Sequence, residues 1–280
     1  MTRRDFLKTS ALAVAFPTSP RERLAVSTYP FRDQIGKGKM TLEQFAATVL
    51  PKLNVPGIEP WGPHFLSLNA DYLAGLRDAF TKAGVHVVNI PVDIEAKLCG
   101  SPAERRAGLD KYNKWVDGAV ILKSPSIRVH LPGGESGETI SCSVSGMREL
   151  ARYASQKNIV VNIENDDPKT EQPERVARVI ETVNSPYLRA LPDFCNSMLV
   201  QNDQDYNDRV LARLFKIAYN ISHVKDHEDD EGKVYRVDVD RIFAVAKKAG
   251  YRGYFSMEFD SSGDPFAGTA KLIEESLQNL

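Results

Sequence analysis

From about residue 22 onward, short apolar runs alternate with longer stretches in which apolar residues recur every three or four positions. The short runs cover 24–29, 57–59, 85–91, 126–131, 159–164, 188–193, 221–225 and 254–258. They are rich in Val, Ile, Tyr and Phe and have the length of buried strands. The longer stretches, 41–53, 71–83, 102–122, 144–156, 173–182, 205–219, 239–249 and 265–277, carry the three-to-four spacing of amphipathic helices. Thr41-Leu42-Glu43-Gln44 has the form of a capping box, and Gly84 and Gly250 stand where helices would end. Eight strands and eight helices in strict alternation imply parallel βαβ units, and eight such units predict an α/β fold closed as a single (β/α)8 TIM barrel over residues 22–280. No Gly-x-Gly-x-x-Gly follows the first strand, which argues against a doubly wound dinucleotide-binding sheet.

Composition narrows the functional classes. The 280 residues are 42% hydrophobic and 26% charged, with a formal net charge of −1. That balance lacks the basic excess of most nucleic-acid enzymes, so no nucleic-acid partner is expected. Beyond the first residues, no stretch reaches the roughly 20 apolar residues of a membrane span. The three cysteines, Cys99, Cys142 and Cys195, form no Cys-x-x-Cys pair and read as small buried hydrophobes, although one disulfide could form. Residues 1–21 read as a signal-like segment. Arg3-Arg4-Asp5-Phe6-Leu7-Lys8 has the twin-arginine pattern, and Ala13-Val14-Ala15 fits a small-residue cleavage site. This pattern predicts a periplasmic protein exported in its folded state, with the cytoplasm as the alternative.

A barrel of this kind places its active site at the carboxyl ends of its strands. The fifth, sixth and eighth strands end in Glu164, Asp193 and Glu258, and the seventh carries His223. Their spacings of 29, 30 and 35 residues are each about one βα unit, which puts four ionisable groups on adjacent strands of one rim. Three carboxylates brought together repel, and one divalent cation would relieve that. The mixed carboxylate–imidazole set suits Mn2+ first, with Mg2+, Co2+ and Zn2+ as alternatives. Singly, each residue has a plainer reading: Asp193 could cap the next helix, and His223 could be a satisfied core histidine. Glu59, Trp61, His130 and Lys225 also sit at or near strand ends and are candidate substrate contacts. Asn196 follows Asp193 by three residues, and His227 follows His223 by four.

The segments Val-Asn-Ile-Glu164, Pro-Asp193-Phe-Cys-Asn, Ser-His223-Val-Lys-Asp-His and Ser-Met-Glu258-Phe resemble those of the xylose isomerase-like barrel family, which includes sugar phosphate isomerases, ketose 3-epimerases and inosose dehydratases. The resemblance implies that Glu164, Asp193, His223 and Glu258 hold one divalent metal, and that Glu164 and Glu258 are also the catalytic acid and base. By the same resemblance, an isomerase or epimerase would move a proton next to a carbonyl of a sugar-like substrate through an enediolate, and the metal would stabilise the developing charge. Ketose epimerases of the family often carry His where this chain has Asn196, which can hydrogen-bond a hydroxyl but cannot exchange a proton near neutral pH. The His-x-Lys-Asp pattern from His223 to Asp226 is nearer to the dehydratase branch. A lyase or dehydratase acting on a keto-sugar or keto-inositol is therefore the alternative activity, and a non-catalytic sugar-binding barrel is the alternative of another class. DNA-repair endonucleases share the barrel but need a histidine-rich three-metal cluster, which five histidines and near-neutral charge do not favour. Whether the chain assembles into a homo-oligomer is not legible from its sequence.

Overall fold

A computed structural model of the chain describes residues 16–132, 137–229 and 231–280. The barrel strands are β1 (Leu24–Ser27), β2 (Gly57–Glu59), β3 (His86–Val87), β4 (Ile90–Pro91), β5 (Ser126–Arg128), β6 (Val160–Glu164), β7 (Leu188–Leu191) and β8 (Ile221–Val224). A short hairpin, β9 (His227–Glu228) and β10 (Val234–Tyr235), precedes the last barrel strand, β11 (Tyr254–Met257). The helices are α1 (Arg32–Gly36), α2 (Leu42–Leu53), α3 (Ala70–Lys82), α4 (Pro102–Leu122), α5 (Gly137–Gln156), α6 (Pro173–Val183), α7 (Asn196–Val200), α8 (Gln204–Ile217), α9 (Val239–Lys248) and α10 (Pro265–Asn279).

All barrel pairings are parallel, in two arcs: β3-β2-β1-β11-β8 and β4-β5-β6-β7. The arcs join at two seams. The run 85–91 makes a single strand position, split into β3 and β4 around Val88 and Asn89. Between β7 and β8, isolated bridges pair Ala190 with Ala218 and Asp193 with His223. The expected eight-stranded barrel is therefore present, ringed by the eight long helices that the pattern predicted.

Local chemistry sets the helix ends. Thr41 and Gln44 cap α2 reciprocally, and Ser101 and Glu104 do the same for α4. The structure differs from the sequence reading in four details. Helix α5 begins at Gly137, seven residues before the expected start at 144. The short helices α1 and α7 and the β9–β10 hairpin had no periodic signal long enough to reveal them. Cys99 and Cys142 form a disulfide, with Cα atoms 5.5 Å apart, and only Cys195 is a free buried thiol. The reading of all three as small hydrophobes is thus corrected: residues 43 apart in sequence meet because the β4–α4 loop folds onto α5. The twin-arginine pattern and the cleavage-like Ala13-Val14-Ala15 lie outside the described residues.

The barrel interior is layered. Ala25, Val88, Leu191 and Ile221 form a small apolar plug. A buried polar ring also crosses the interior. Ser126 Oγ donates to Asn89 Oδ1 (2.5 Å), Asn162 Nδ2 to Asn220 Oδ1 (3.1 Å), and Asn220 Nδ2 to Ser126 Oγ (2.8 Å). Asn89 Nδ2 continues the ring to Glu59 Oε1 (2.8 Å). Outside the strands lies the main core, including the packed rings of Phe194, Phe243 and Phe255. Each buried ring of that size stabilises the fold by roughly 1.5–3 kcal/mol. Phe194 is fully buried there, which fixes the backbone beside Asp193.

Candidate metal centre

Glu164 ends β6, Asp193 follows β7, His223 lies in β8 and Glu258 follows β11, and all four are buried. The structure brings them together: one ligand atom from each lies within 4.8 Å of the others. His223 Nδ1 stands 2.9 Å from Glu164 Oε1, 3.3 Å from Glu258 Oε2 and 3.9 Å from Asp193 Oδ2. Its other ring nitrogen, Nε2, is 3.0 Å from Glu59 Oε2. The imidazole is thus held by a carboxylate behind it, with Nδ1 facing the other three carboxylates, as in many metal sites.

Asp193 divides its labour. Oδ1 accepts from the backbone N–H groups of Cys195 (2.8 Å) and Asn196 (2.7 Å), which is the capping role expected of a lone Asp here. Oδ2 is buried with no hydrogen-bond partner, whereas Glu164 Oε2 pairs with Arg128 Nε at 3.1 Å. Asn165 locks this arrangement by accepting from Asp193 N (2.8 Å) and donating to Asp193 O (3.1 Å). A buried, partnerless carboxylate oxygen such as Asp193 Oδ2 is costly unless a cation meets it.

The charges fit one divalent ion. Four buried carboxylates, Glu59, Glu164, Asp193 and Glu258, surround His223, and the two buried cations beside them, Arg128 and Lys225, are shared with Asp93 and Asp260. The excess of negative charge suits a divalent cation. Without it, burial pushes Glu164 up to about 7 against the opposing charges of His223 and Arg128, and burial also raises Asp193. Burial would lower His223, but the charges of Glu164, Glu258 and Glu59 outweigh it and raise the imidazole well above its ordinary range. The residues present fit a divalent metal.

A scan of the sequence against protein families matches residues 48–280 to the model described as xylose isomerase-like TIM barrel. The chain belongs to that family. No curated protein matches the sequence. Among solved structures, a D-allulose 3-epimerase from Methylomonas sp. in complex with D-allulose is 16% identical, covering 95% of this chain and 99% of that one, with a TM-score of 0.72. A 3-keto-D-glucoside 4-epimerase from E. coli is 15% identical, covering 92% and 99%, with a TM-score of 0.70. A xylose isomerase-like TIM barrel protein from Mycobacterium smegmatis in complex with magnesium is 15% identical, covering 91% and 95%, also with a TM-score of 0.70. At these identities the likeness is one of fold.

In this xylose isomerase-like barrel, a cavity of about 510 Å³ opens over the four-residue centre and is lined by Glu164, Glu258, Trp61, His130, Asn196, Lys225 and His227 among others. Six of the residues expected from sequence at the metal and the substrate surface therefore share one wall-to-wall pocket with Glu258. Glu59 does not join them. It was expected at the substrate, but it is fully buried and its oxygens are taken by Asn89, Ser256 and His223, so it supports the imidazole instead. Lys225 lies 3.2 Å from Glu258 Oε2, an ion pair at the pocket wall. Asn196 Nδ2 donates to Glu164 Oε1 (3.4 Å).

Sequence reasoning missed Arg128, Asp93, Asp166, Glu171 and Asp260. Arg128 Nε is 3.1 Å from Glu164 Oε2, and its guanidinium also pairs with Asp93. Asp93 accepts from Trp61 Nε1 as well. His130 is held between Asp93 Oδ1 and Glu171 Oε2, both at 2.9 Å. Burial and the Arg128 charge lower the His130 pKa, but the two carboxylates outweigh them and raise it to about 10. A signal for Arg128 was present: Ser126, Arg128 and His130 alternate through an apolar run, so all three face the barrel interior.

Proposed function

We propose that the protein is a metal-dependent enzyme of the isomerase or epimerase type that moves a proton next to a carbonyl group of a sugar. The single observation carrying this reading is the buried centre of Glu164, Asp193, His223 and Glu258, in which Asp193 Oδ2 has no hydrogen-bond partner. A divalent ion bound there, with Mn2+ as the first choice, would supply Lewis-acid stabilisation of the charge that develops on the substrate. Glu164 and Glu258 end different strands and both line the cavity, so one can take a proton from a substrate carbon and the other can return it. Arg128 beside Glu164 and Lys225 beside Glu258 hold each carboxylate in place. Elimination from a keto-sugar begins with the same proton removal and is the second reading.

The pocket favours an uncharged sugar over a phosphorylated one. Its cationic lining residues are already engaged: Arg32 with Asp260 (3.1 Å), Arg128 with Asp93 and Glu164, and Lys225 with Glu258. Trp61 and Tyr29, packed edge to face at 5.2 Å, offer an aromatic wall to a sugar ring. Export to the periplasm is supported by Arg3-Arg4-Asp5-Phe6-Leu7-Lys8 and by the Cys99–Cys142 disulfide, since such bonds persist in oxidising compartments. Among the described residues, no helix is long and apolar enough to cross a membrane.

The test compares wild type with the Glu164→Gln/Glu258→Gln variant. Elemental mass spectrometry should find about one divalent ion per wild-type chain and far less in the variant. Solvent-deuterium incorporation into keto-sugars, read by NMR, should fall by about three orders of magnitude or more. Equal metal content in both proteins would remove the centre from the mechanism.

A further inference from the structure

Across the pocket from Arg128 stands a second proton-handling pair that the metal centre does not use. His227 Nδ1 lies 2.8 Å from Asp260 Oδ2. The backbone fixes both partners: His227 and Asp260 form a parallel bridge, and Glu228 N donates to Asp260 O (3.0 Å). The other oxygen of Asp260 accepts from Arg32 (3.1 Å), and the Lys225 ammonium is 3.9 Å from Oδ2. Tyr235 of β10 packs its ring against the imidazole, with centroids 6.1 Å apart. His227 keeps 23% of its side chain exposed and lines the same cavity as Glu164 and Glu258. Among the described residues no protein group takes its Nε2. An imidazole anchored through one nitrogen by a carboxylate, with the other nitrogen open to the pocket, is the arrangement that passes protons in many enzymes.

Epimerisation needs two acid–base groups, and Glu164 and Glu258 already provide them. When a bond to oxygen must break instead, the acid has to stand at the departing oxygen, and His227 lines the pocket apart from the metal ligands. We propose that His227, positioned by Asp260, is the general acid of a β-elimination that releases an alcohol from a keto-glycoside. This rests on the proton-transfer reading above and assigns the site to the lyase branch of it. One of the two glutamates takes the proton from the carbon beside the carbonyl. The electron pair left behind becomes a carbon–carbon double bond as the bond from the next carbon to its oxygen breaks. That oxygen leaves with the bonding pair and takes the proton from His227 Nε2. Solvent then reprotonates the imidazole and accepts the glutamate's proton. The products are an unsaturated keto-sugar and an alcohol, with no change of oxidation state overall.

The experiment uses the full chain, loaded with Mn2+, and two substrates: methyl and 4-nitrophenyl 3-keto-β-D-glucopyranoside. The methoxide of the first must be protonated as it leaves, whereas the nitrophenolate of the second departs readily as an anion. His227→Asn should lower turnover of the methyl glycoside by about 10²–10⁴-fold and of the nitrophenyl glycoside by less than about tenfold. Asp260→Asn should act in the same direction but less strongly. Metal content and melting temperature, measured on each variant, separate this effect from misfolding. Equal losses on both substrates, or wild-type epimerisation with no alcohol released, would overturn the assignment of His227 while leaving the metal centre intact. If wild type neither releases alcohol nor incorporates solvent deuterium beside the carbonyl, the proton-transfer reading itself fails, and this proposal with it.

Discussion

On one side of the pocket, Asp93, His130 and Glu171 form a network in which each group is answered. Asp93 takes Arg128, His130 and Trp61; both nitrogens of His130 meet carboxylates; and Glu171 accepts from Leu131 N (2.7 Å) as well as pairing with His130. On the other side, Glu164, Asp193 and Glu258 crowd one imidazole, and the buried Asp193 Oδ2 has no hydrogen-bond partner. The same residue types thus serve two ends. His130, Asp166 and Glu171 also bring three donor atoms within 4.8 Å. Their counter-charge comes from the raised imidazole and from Arg128, which the two sides share. Proximity of acidic groups alone is therefore a poor guide to a metal site.

Three measurements would break or sharpen this contrast. Arg128 straddles the two sides, so Arg128→Met should have the largest effect. Leaving Asp93 and Glu164 without their buried cation should cost about 3 kcal/mol or more in urea unfolding of the metal-free protein. A loss below about 1 kcal/mol would mean that the two sides are independent. Glu59→Gln comes next. It keeps the shape behind His223 but removes the charge, and should weaken Mn2+ binding by about 10–100-fold in titration calorimetry. Unchanged affinity would demote Glu59 to packing. The smallest effect concerns pH. The folded pKa of His130 is raised to about 10, above the ordinary 6.5. The stability it contributes is therefore complete below about pH 6.5 and is lost as the pH rises through 10. The melting temperature of wild type should fall over that window relative to His130→Gln, and parallel curves would show that the imidazole is not held protonated.

Much of this was legible in the chain. Strand and helix periods differ enough that all eight βα units could be read, and strand-end polar residues at one-unit spacing picked out the four residues that gather in the buried centre. What was not legible depended on depth and on neighbours. Glu59 ends an apolar run just as Glu164 does, and only the barrel's interior shows that it lies behind His223 and not above it. Asp93, Asp166 and Asp260 sit two or three residues past their strands, where a sequence offers no means of telling a pocket wall from a surface loop. The Cys99–Cys142 bond was hidden because spacing alone does not pair cysteines.

The polar ring inside the barrel has a consequence for strand alignment. Sliding β6 along its neighbours by two residues would keep every side chain on its original face, so apolar burial alone would resist such a slip only weakly. The slip would, however, set Val160 or Glu164 where Asn162 now meets Asn89 and Asn220. Each amide left unpaired in the interior would cost about 1–3 kcal/mol. Asn89, Ser126, Asn162 and Asn220 therefore act as an alignment key across β4, β5, β6 and β8. Glu164 stands level with His223 because the amide two residues below it admits only one neighbour arrangement.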